Sequence, residues 1–242
     1  MKLLLDLGNT RLKWAVWDGV LGPVRAEPHR DRPLDVFLAQ AWPAVEAVWL
    51  SAVPRLADPA GWNAAVLAHC GLLPQFAHSI AEWRGLRSAY AEPQRLGIDR
   101  WLAMLALWQQ LRAPFVVVSA GTALTVDRVA ADGRHLGGII APGYGSTLAS
   151  LLKVTATPGR PTVVGAADQL GTSSETAIRQ GALFAAVGAV ERCLSLPGTD
   201  PTERRILTGG DAAALQAQLP GHWERRPELV LEGLLALATA PA

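Results

Sequence analysis

Residues 3–17, LLLDLGNTRLKWAVW, form an apolar run that is interrupted by an acid and a Gly-Asn-Thr and then resumes. Residues 116–129, VVVSAGTALTVDRV, repeat that design in the other half of the chain. An apolar strand that stops at a short glycine turn and starts again reads as a hairpin, because the turn residues tolerate the backbone angles that tight reversals need. Hairpins force antiparallel pairing, so a mixed sheet is expected in each half. Asp6-Leu7-Gly8-Asn9-Thr10 laid beside Ser119-Ala120-Gly121-Thr122 puts small-residue turns after equivalent strands. The pattern predicts two duplicated α/β domains, mixed sheets flanked by helices, facing each other with a cleft between them. Chance recurrence of Gly-Thr turns is the competing explanation.

The rest of the chain fits two such halves. Strands are predicted over residues 2–7, 11–17 and 45–53, then a helix over 58–70. Ile98, Trp101, Leu102, Leu105, Trp108 and Leu111 have helical spacing, which predicts an amphipathic helix over 98–112. Ala113-Pro114 breaks the chain, and the domains are placed at 1–112 and 113–242. In the second, RHLGGIIAPG reads as a strand, 145–153 and 174–195 as helices, RRILTGGDAAALQAQL as strand, glycine turn and helix, and PELVLEGLLALAT as a closing helix. A chain of 242 residues, half of them hydrophobic, can bury a core in each.

Charge and cysteine content exclude several classes. The net charge is +1 with no block of Lys or Arg, which argues against nucleic acid as a partner. Cys70 and Cys193 are far apart and lack partner histidines, so they read as buried thiols in a reducing compartment. Met1-Lys2-Leu3-Leu4-Leu5 starts like a secretion signal, but Asp6 ends the apolar stretch too early. No run approaches the ~18 apolar residues of a membrane span, so a cytoplasmic protein with no membrane partner is expected. The nine tryptophans are scattered and read as core or interface packing. The five histidines show no metal-ligand spacing.

The turns carry the chemistry. A glycine lets backbone N–H groups approach an anion without a Cβ in the way, and a flanking Thr or Asn adds side-chain donors. Asp6, at a strand end, can hold Mg²⁺ directly or through water, and Lys13 adds a positive charge for phosphate. A third turn, Thr208-Gly209-Gly210-Asp211, suits close approach of a base or ribose. Neither GxxxxGK[ST] nor a GxGxxG opening a helix occurs, so this is neither a Walker loop nor a dinucleotide fingerprint. An ordinary hairpin with an exposed acid could produce one such turn; together, the turns favour nucleotide binding.

At this point the motifs, taken in order, carry a resemblance: DLGNTRLK, YAEPQRLGIDRWLA, SAGTALTVD, GGIIAPG, GTSSETAIRQG and LTGGD. The sequence resembles the type III pantothenate kinases, within the acetate and sugar kinase/Hsp70/actin superfamily, whose fold is a pair of ribonuclease H-like, actin-like ATPase domains. The resemblance implies ATP-dependent phosphorylation of the primary hydroxyl of pantothenate, the first step towards coenzyme A. It implies that Asp6, Leu7, Gly8, Asn9, Thr10, Arg11, Leu12 and Lys13 form a first phosphate loop and that Thr122 belongs to a second. It places pantothenate on Tyr90, Gly97, Ile98, Asp99, Arg100 and Ser174, with Asp99 as general base. A homodimer and a monovalent cation, K⁺ or NH₄⁺, are also implied. Two departures stand out: Ser119 occupies a position where the family commonly has a cation-binding acid, and Ser174 one where it usually has threonine.

Taken without the resemblance, the same residues have plainer readings. Asp99 in a first helical turn is a common cap, Arg100 a solvated charge and Tyr90 a packed aromatic. Asp127 is a further carboxylate whose strand parity can point it away from the turns. Two other functions remain open at this level: a nucleotide-binding regulatory or accessory protein that has lost catalysis, and a sugar or acetate kinase of the same superfamily.

Overall fold

The computed structural model describes residues 1–53, 55–56, 58–154, 169–197 and 200–240. The chain divides into two compact units, one of residues 1–112 with 228–242, the other of residues 113–227.

In the first unit, β1 (Lys2–Leu7) and β2 (Arg11–Trp17) form the expected hairpin, with Leu7 opposite Leu12 and Asp6 opposite Lys13. β3 (Arg25–Pro28) continues the antiparallel ribbon, and α1 (Pro33–Leu38) follows. β4 (Ala47–Ala52) then runs parallel to β1, α2 covers Pro59–Cys70, and β5 (Gln75–Phe76) closes the sheet in the order β3-β2-β1-β4-β5. A small hairpin, β6 (Glu82–Trp83) and β7 (Leu86–Arg87), precedes α3 (Ile98–Leu111).

Strand parity decides what each face of this sheet meets. Leu3, Leu5 and Leu7 pack with Val48, Leu50, Phe37 and Trp62 under α1 and α2. The alternate residues of β1, Lys2, Leu4 and Asp6, therefore face the side covered by α3 and by the last helix of the chain. The Lys2 ammonium accordingly donates to the carbonyl of Ala238 in that helix. Helical spacing marks one apolar face on α3, but the structure buries every residue from Arg100 to Trp108, because the helix is covered on more than one side.

The second unit repeats the strand order. β8 (Phe115–Ala120) and β9 (Ala123–Val129) form the hairpin, and β10 (His135–Pro142) continues it with a bulge between His135 and Gly137. α4 (Tyr144–Val154) and α5 (Ser174–Leu194) follow, and β11 (Arg204–Thr208) runs parallel to β8. α6 (Ala212–Gln216) leads to β12 (Glu224–Arg225), giving the order β10-β9-β8-β11-β12. Each position matches its counterpart in the first sheet in order and sense. Val116, Val118, Leu124, Val126 and Leu207 pack under α5 and α6 in one core.

One domain assignment is corrected. The closing helix α7 (Leu229–Ala238) falls within 113–242 in the sequence division, yet it belongs to the first unit, packed on α3, β1 and β4. Its Gly233 lies so close to α3 that a Cβ there would sit 2.2 Å from the carbonyl oxygen of Leu102. No helix among the described residues is long and apolar enough to cross a membrane.

Candidate active site

The centre of the first unit's site is Asp6. It is the penultimate residue of β1, flanked in register by Lys13 on β2 and Ser51 on β4, and it is 8% exposed. Burial pushes its carboxyl from 3.8 up to about 7; the Lys13 ammonium opposes this, and the negative charge of Asp99 adds to it. The Ser51 hydroxyl favours the charged form, and Glu228 disfavours it more weakly. Ser51 is 1% exposed, and its Oγ lacks a well-formed hydrogen bond. Asp99 stands in the first turn of α3 and Glu228 is the N-cap of α7, so two helix starts bring acids towards the end of β1. Glu228 is absent from the sequence-level site because no local pattern ties it to residue 6.

The Gly8-Asn9-Thr10 turn caps the hairpin, with the Gly8 N–H donating to the Arg11 carbonyl at 3.1 Å. Asn9, Thr10 and Arg11 are exposed and Gly8 is half-buried, whereas Leu7 and Leu12 are fully buried core residues. Those two leucines can offer a nucleotide only backbone atoms.

The GIDR segment has equally definite geometry. Gly97 is the N-cap of α3, and a Cβ on it would sit 2.8 Å from Oδ1 of Asp99. That oxygen accepts a 2.9 Å hydrogen bond from the Arg100 N–H, so Asp99 folds back over the helix start and satisfies one of its first-turn amides, as its plainer reading expects. Arg100 is not solvated: it is 5% exposed, and its Nη1 donates to Oη of Tyr90 at 3.0 Å with the guanidinium over the Tyr90 ring at 5.8 Å. The Tyr90 N–H is in turn held by Ser88 Oγ at 3.1 Å. Ile98 is buried and serves packing. A buried guanidinium held at a fixed angle suits a carboxylate ligand, which can take two parallel N–H donors.

In the second unit three turns close on one another. The Thr122 carbonyl accepts from the Gly143 N–H at 3.1 Å and from Ser146 Oγ at 2.7 Å. The Asp211 N–H donates to the Ala120 carbonyl at 2.9 Å, and its carboxylate accepts from the Gly145 N–H at 3.2 Å. Gly209, at φ +95, lies against the Ala120 backbone, where a Cβ would be 2.3 Å from the carbonyl oxygen. Ser119 pairs in register with Thr125 on one side and Thr208 on the other, giving a row of hydroxyls where the first sheet has Lys13, Asp6 and Ser51. Ser174 is exposed in the first turn of α5, whose capping box is made by Ser173 and Thr176. Asp127 is buried and accepts from Nε2 of His135 at 2.9 Å, so it is not a ligand for the turns.

Among the described residues no three His, Cys, Asp or Glu side chains group to hold a metal. Mg²⁺ in phosphoryl-transfer sites takes one or two carboxylates plus phosphate and water oxygens. A single buried carboxylate beside the Ser51 hydroxyl, whose contacts are not well formed, fits that donor set.

Comparison with known proteins decides the family. The family model described as type III pantothenate kinase matches residues 2–195. The chain belongs to this family. The type III pantothenate kinase of Nitrosococcus oceani is 33% identical over 98% of this chain and 94% of its own length. That of Aromatoleum aromaticum is 37% identical over 100% and 99% respectively. The crystal structure of a conserved Campylobacter jejuni protein assigned to the Baf family of transcriptional activators superposes with a TM-score of 0.61 at 21% identity, covering 96% of this chain and 95% of that one, which shows a shared fold. The family match stops before β11, whereas the alignment with the Aromatoleum aromaticum relative extends over α7 as well.

Proposed function

We propose that this protein transfers the γ-phosphoryl group of ATP to the primary hydroxyl of pantothenate, giving ADP and 4'-phosphopantothenate, the first step of coenzyme A biosynthesis. The observation that carries this reading is the family match over residues 2–195, together with type III pantothenate kinases that align over nearly the whole chain. Within the first unit, the negative charge of Asp99 adds to the raised pKa of Asp6, which supports assigning acceptor and donor chemistry there.

Phosphoryl transfer asks for positioning and charge compensation more than for covalent help. Lys13 and the Gly8-Asn9-Thr10 turn are assigned to the phosphates, with Thr122 and its turn as the second phosphate loop. Asp6 would hold Mg²⁺, directly or through water, and the ion would neutralise charge on the phosphate oxygens. The carboxylate of pantothenate is assigned to Arg100, with Tyr90 steadying the guanidinium, and Ser174 to a further substrate contact. Asp99 orients the attacking hydroxyl. As the new P–O bond forms, the O–H proton passes to the Asp99 carboxylate, and the electrons of the broken γ-phosphoryl bond stay with ADP. A carboxylate is a weak base, which suffices because the alcohol loses its proton late in a loose transition state.

We further read Ser119 as the monovalent-cation position, served here by neutral hydroxyls; K⁺ or NH₄⁺ dependence should be weak, and Ser119→Asp should sharpen it. A homodimer and a cytoplasmic location complete the reading. The test is ADP release with pantothenate, with a panel of sugars and acetate, and with no acceptor. Release with pantothenate alone supports the proposal, and equal background in every arm refutes it.

A further inference from the structure

A histidine outside every motif above holds the first phosphate loop in shape. We infer that His29 is a positioning residue for nucleotide binding, an inference that rests on the Gly8-Asn9-Thr10 turn contacting phosphate. His29 directly follows β3 and is 3% exposed. Its Nε2 lies 2.9 Å from the Gly8 carbonyl oxygen, and its Nδ1 accepts from the Asp31 N–H at 3.1 Å. A ring nitrogen that accepts carries no proton, so the other must donate, and the two contacts together select the neutral tautomer with the proton on Nε2. The His29 N–H also donates to the Thr10 carbonyl at 3.2 Å. One residue thus restrains two of the turn's three carbonyls.

The consequence for a ligand follows from peptide geometry. In a trans peptide the C=O and the next N–H point in opposite directions. With the Gly8 carbonyl drawn onto His29, the Asn9 N–H is turned to the far side of the turn, and an electronegative oxygen is withdrawn from that side. Both changes favour an anion there.

The second unit supplies an internal comparison. Gly143 follows β10 as His29 follows β3, and its N–H donates to the Thr122 carbonyl as that of His29 donates to Thr10. At Gly143, however, a Cβ would stand 1.9 Å from the Gly121 carbonyl oxygen, so no side chain can enter. Equivalent carbonyls are therefore managed in opposite ways, one gripped by an imidazole and the other packed against bare backbone. The grip has its own support. Arg30 and Asp31 both adopt left-handed angles, φ 48 and φ 65, which side-chain-bearing residues rarely take without compensation. The Asp31 carboxylate is paired with Arg55 at 2.9 Å, and the Arg32 N–H returns to the His29 carbonyl at 2.8 Å.

Two substitutions separate the contacts. His29→Gln keeps a donor within reach of the Gly8 carbonyl. His29→Asn keeps only an acceptor for the Asp31 N–H. Calorimetric binding of MgADP should be within about twofold of wild type in the Gln variant and about three- to tenfold weaker in the Asn variant, the size of one net hydrogen bond. The KM for ATP should follow the same order, with the KM for pantothenate unchanged and both variants folded by thermal melting. Equal affinity in all three proteins, or equal losses in the two variants, overturns the inference. A wild type that binds MgADP but does not phosphorylate pantothenate refutes the acceptor assignment and leaves the His29 comparison valid. A wild type that binds no nucleotide overturns both.

Discussion

At the scale of single residues, the account turns on two acids with different tasks. Asp99 is the proposed proton acceptor, so Asp99→Asn should lower kcat by about a hundred- to ten-thousandfold while the melting temperature and MgADP affinity stay near wild type. Full activity in that variant would remove Asp99 from the chemistry. Asp6 is raised from 3.8 to about 7, mainly by burial. A group raised in the folded state contributes its stability below its unfolded pKa and loses it as pH rises through the folded one. A shift of that size corresponds to on the order of 4 kcal/mol. The ligand-free Asp6→Asn protein, neutral at every pH, should therefore gain stability over wild type steadily between about pH 4 and 8. Melting curves of the two proteins across that range check this, and parallel curves would contradict it. Arg100 shows the limit of sequence reading at this scale: a charge in a helical pattern reads as solvated, and only the fold reveals that Tyr90, ten residues earlier, takes it into the interior.

Elements were legible where the local chain specifies them. Both hairpins could be read because period-two apolar runs flank glycine turns, and the helices over 58–70 and 174–195 appear as Pro59–Cys70 and Ser174–Leu194. β3 could not be read, since all four residues of Arg25–Pro28 are exposed and carry no alternation. α7 reads as a helix, but an apolar face announces burial without saying against which sheet, so its place in the first unit follows from the fold alone. The contact that decides its place is Gly233 on the Leu102 carbonyl. Gly233→Val should force α7 off α3 and cost about 3 kcal/mol or more, measured by denaturant unfolding. A comparable test of the second unit is Glu203→Ala. The Arg128–Glu203 pair, at 2.9 Å, has side chains only 10% and 4% exposed, so removal leaves a buried guanidinium unpaired at a cost of about 3–5 kcal/mol.

For the whole molecule, the sequence repeat in residues 3–17 and 116–129 corresponds to two sheets with the same strand order and sense. The likeness stops at chemistry. The first sheet carries Lys13, Asp6 and Ser51 across its three central strands, the second Thr125, Ser119 and Thr208. That divergence gives the first unit the charged groups to which the proposed catalysis is assigned and the second the close-packed glycine turns. It also explains why the site was only partly legible: the motifs announce the turns, whereas His29 and Glu228 join them through the fold alone. The most direct measurement is turnover with MgATP and pantothenate, following ADP and phosphopantothenate together. The account predicts equal amounts of both products, with ADP at the level of the acceptor-free blank when sugars or acetate replace pantothenate. ADP without phosphopantothenate, or no ADP above the blank, would contradict it.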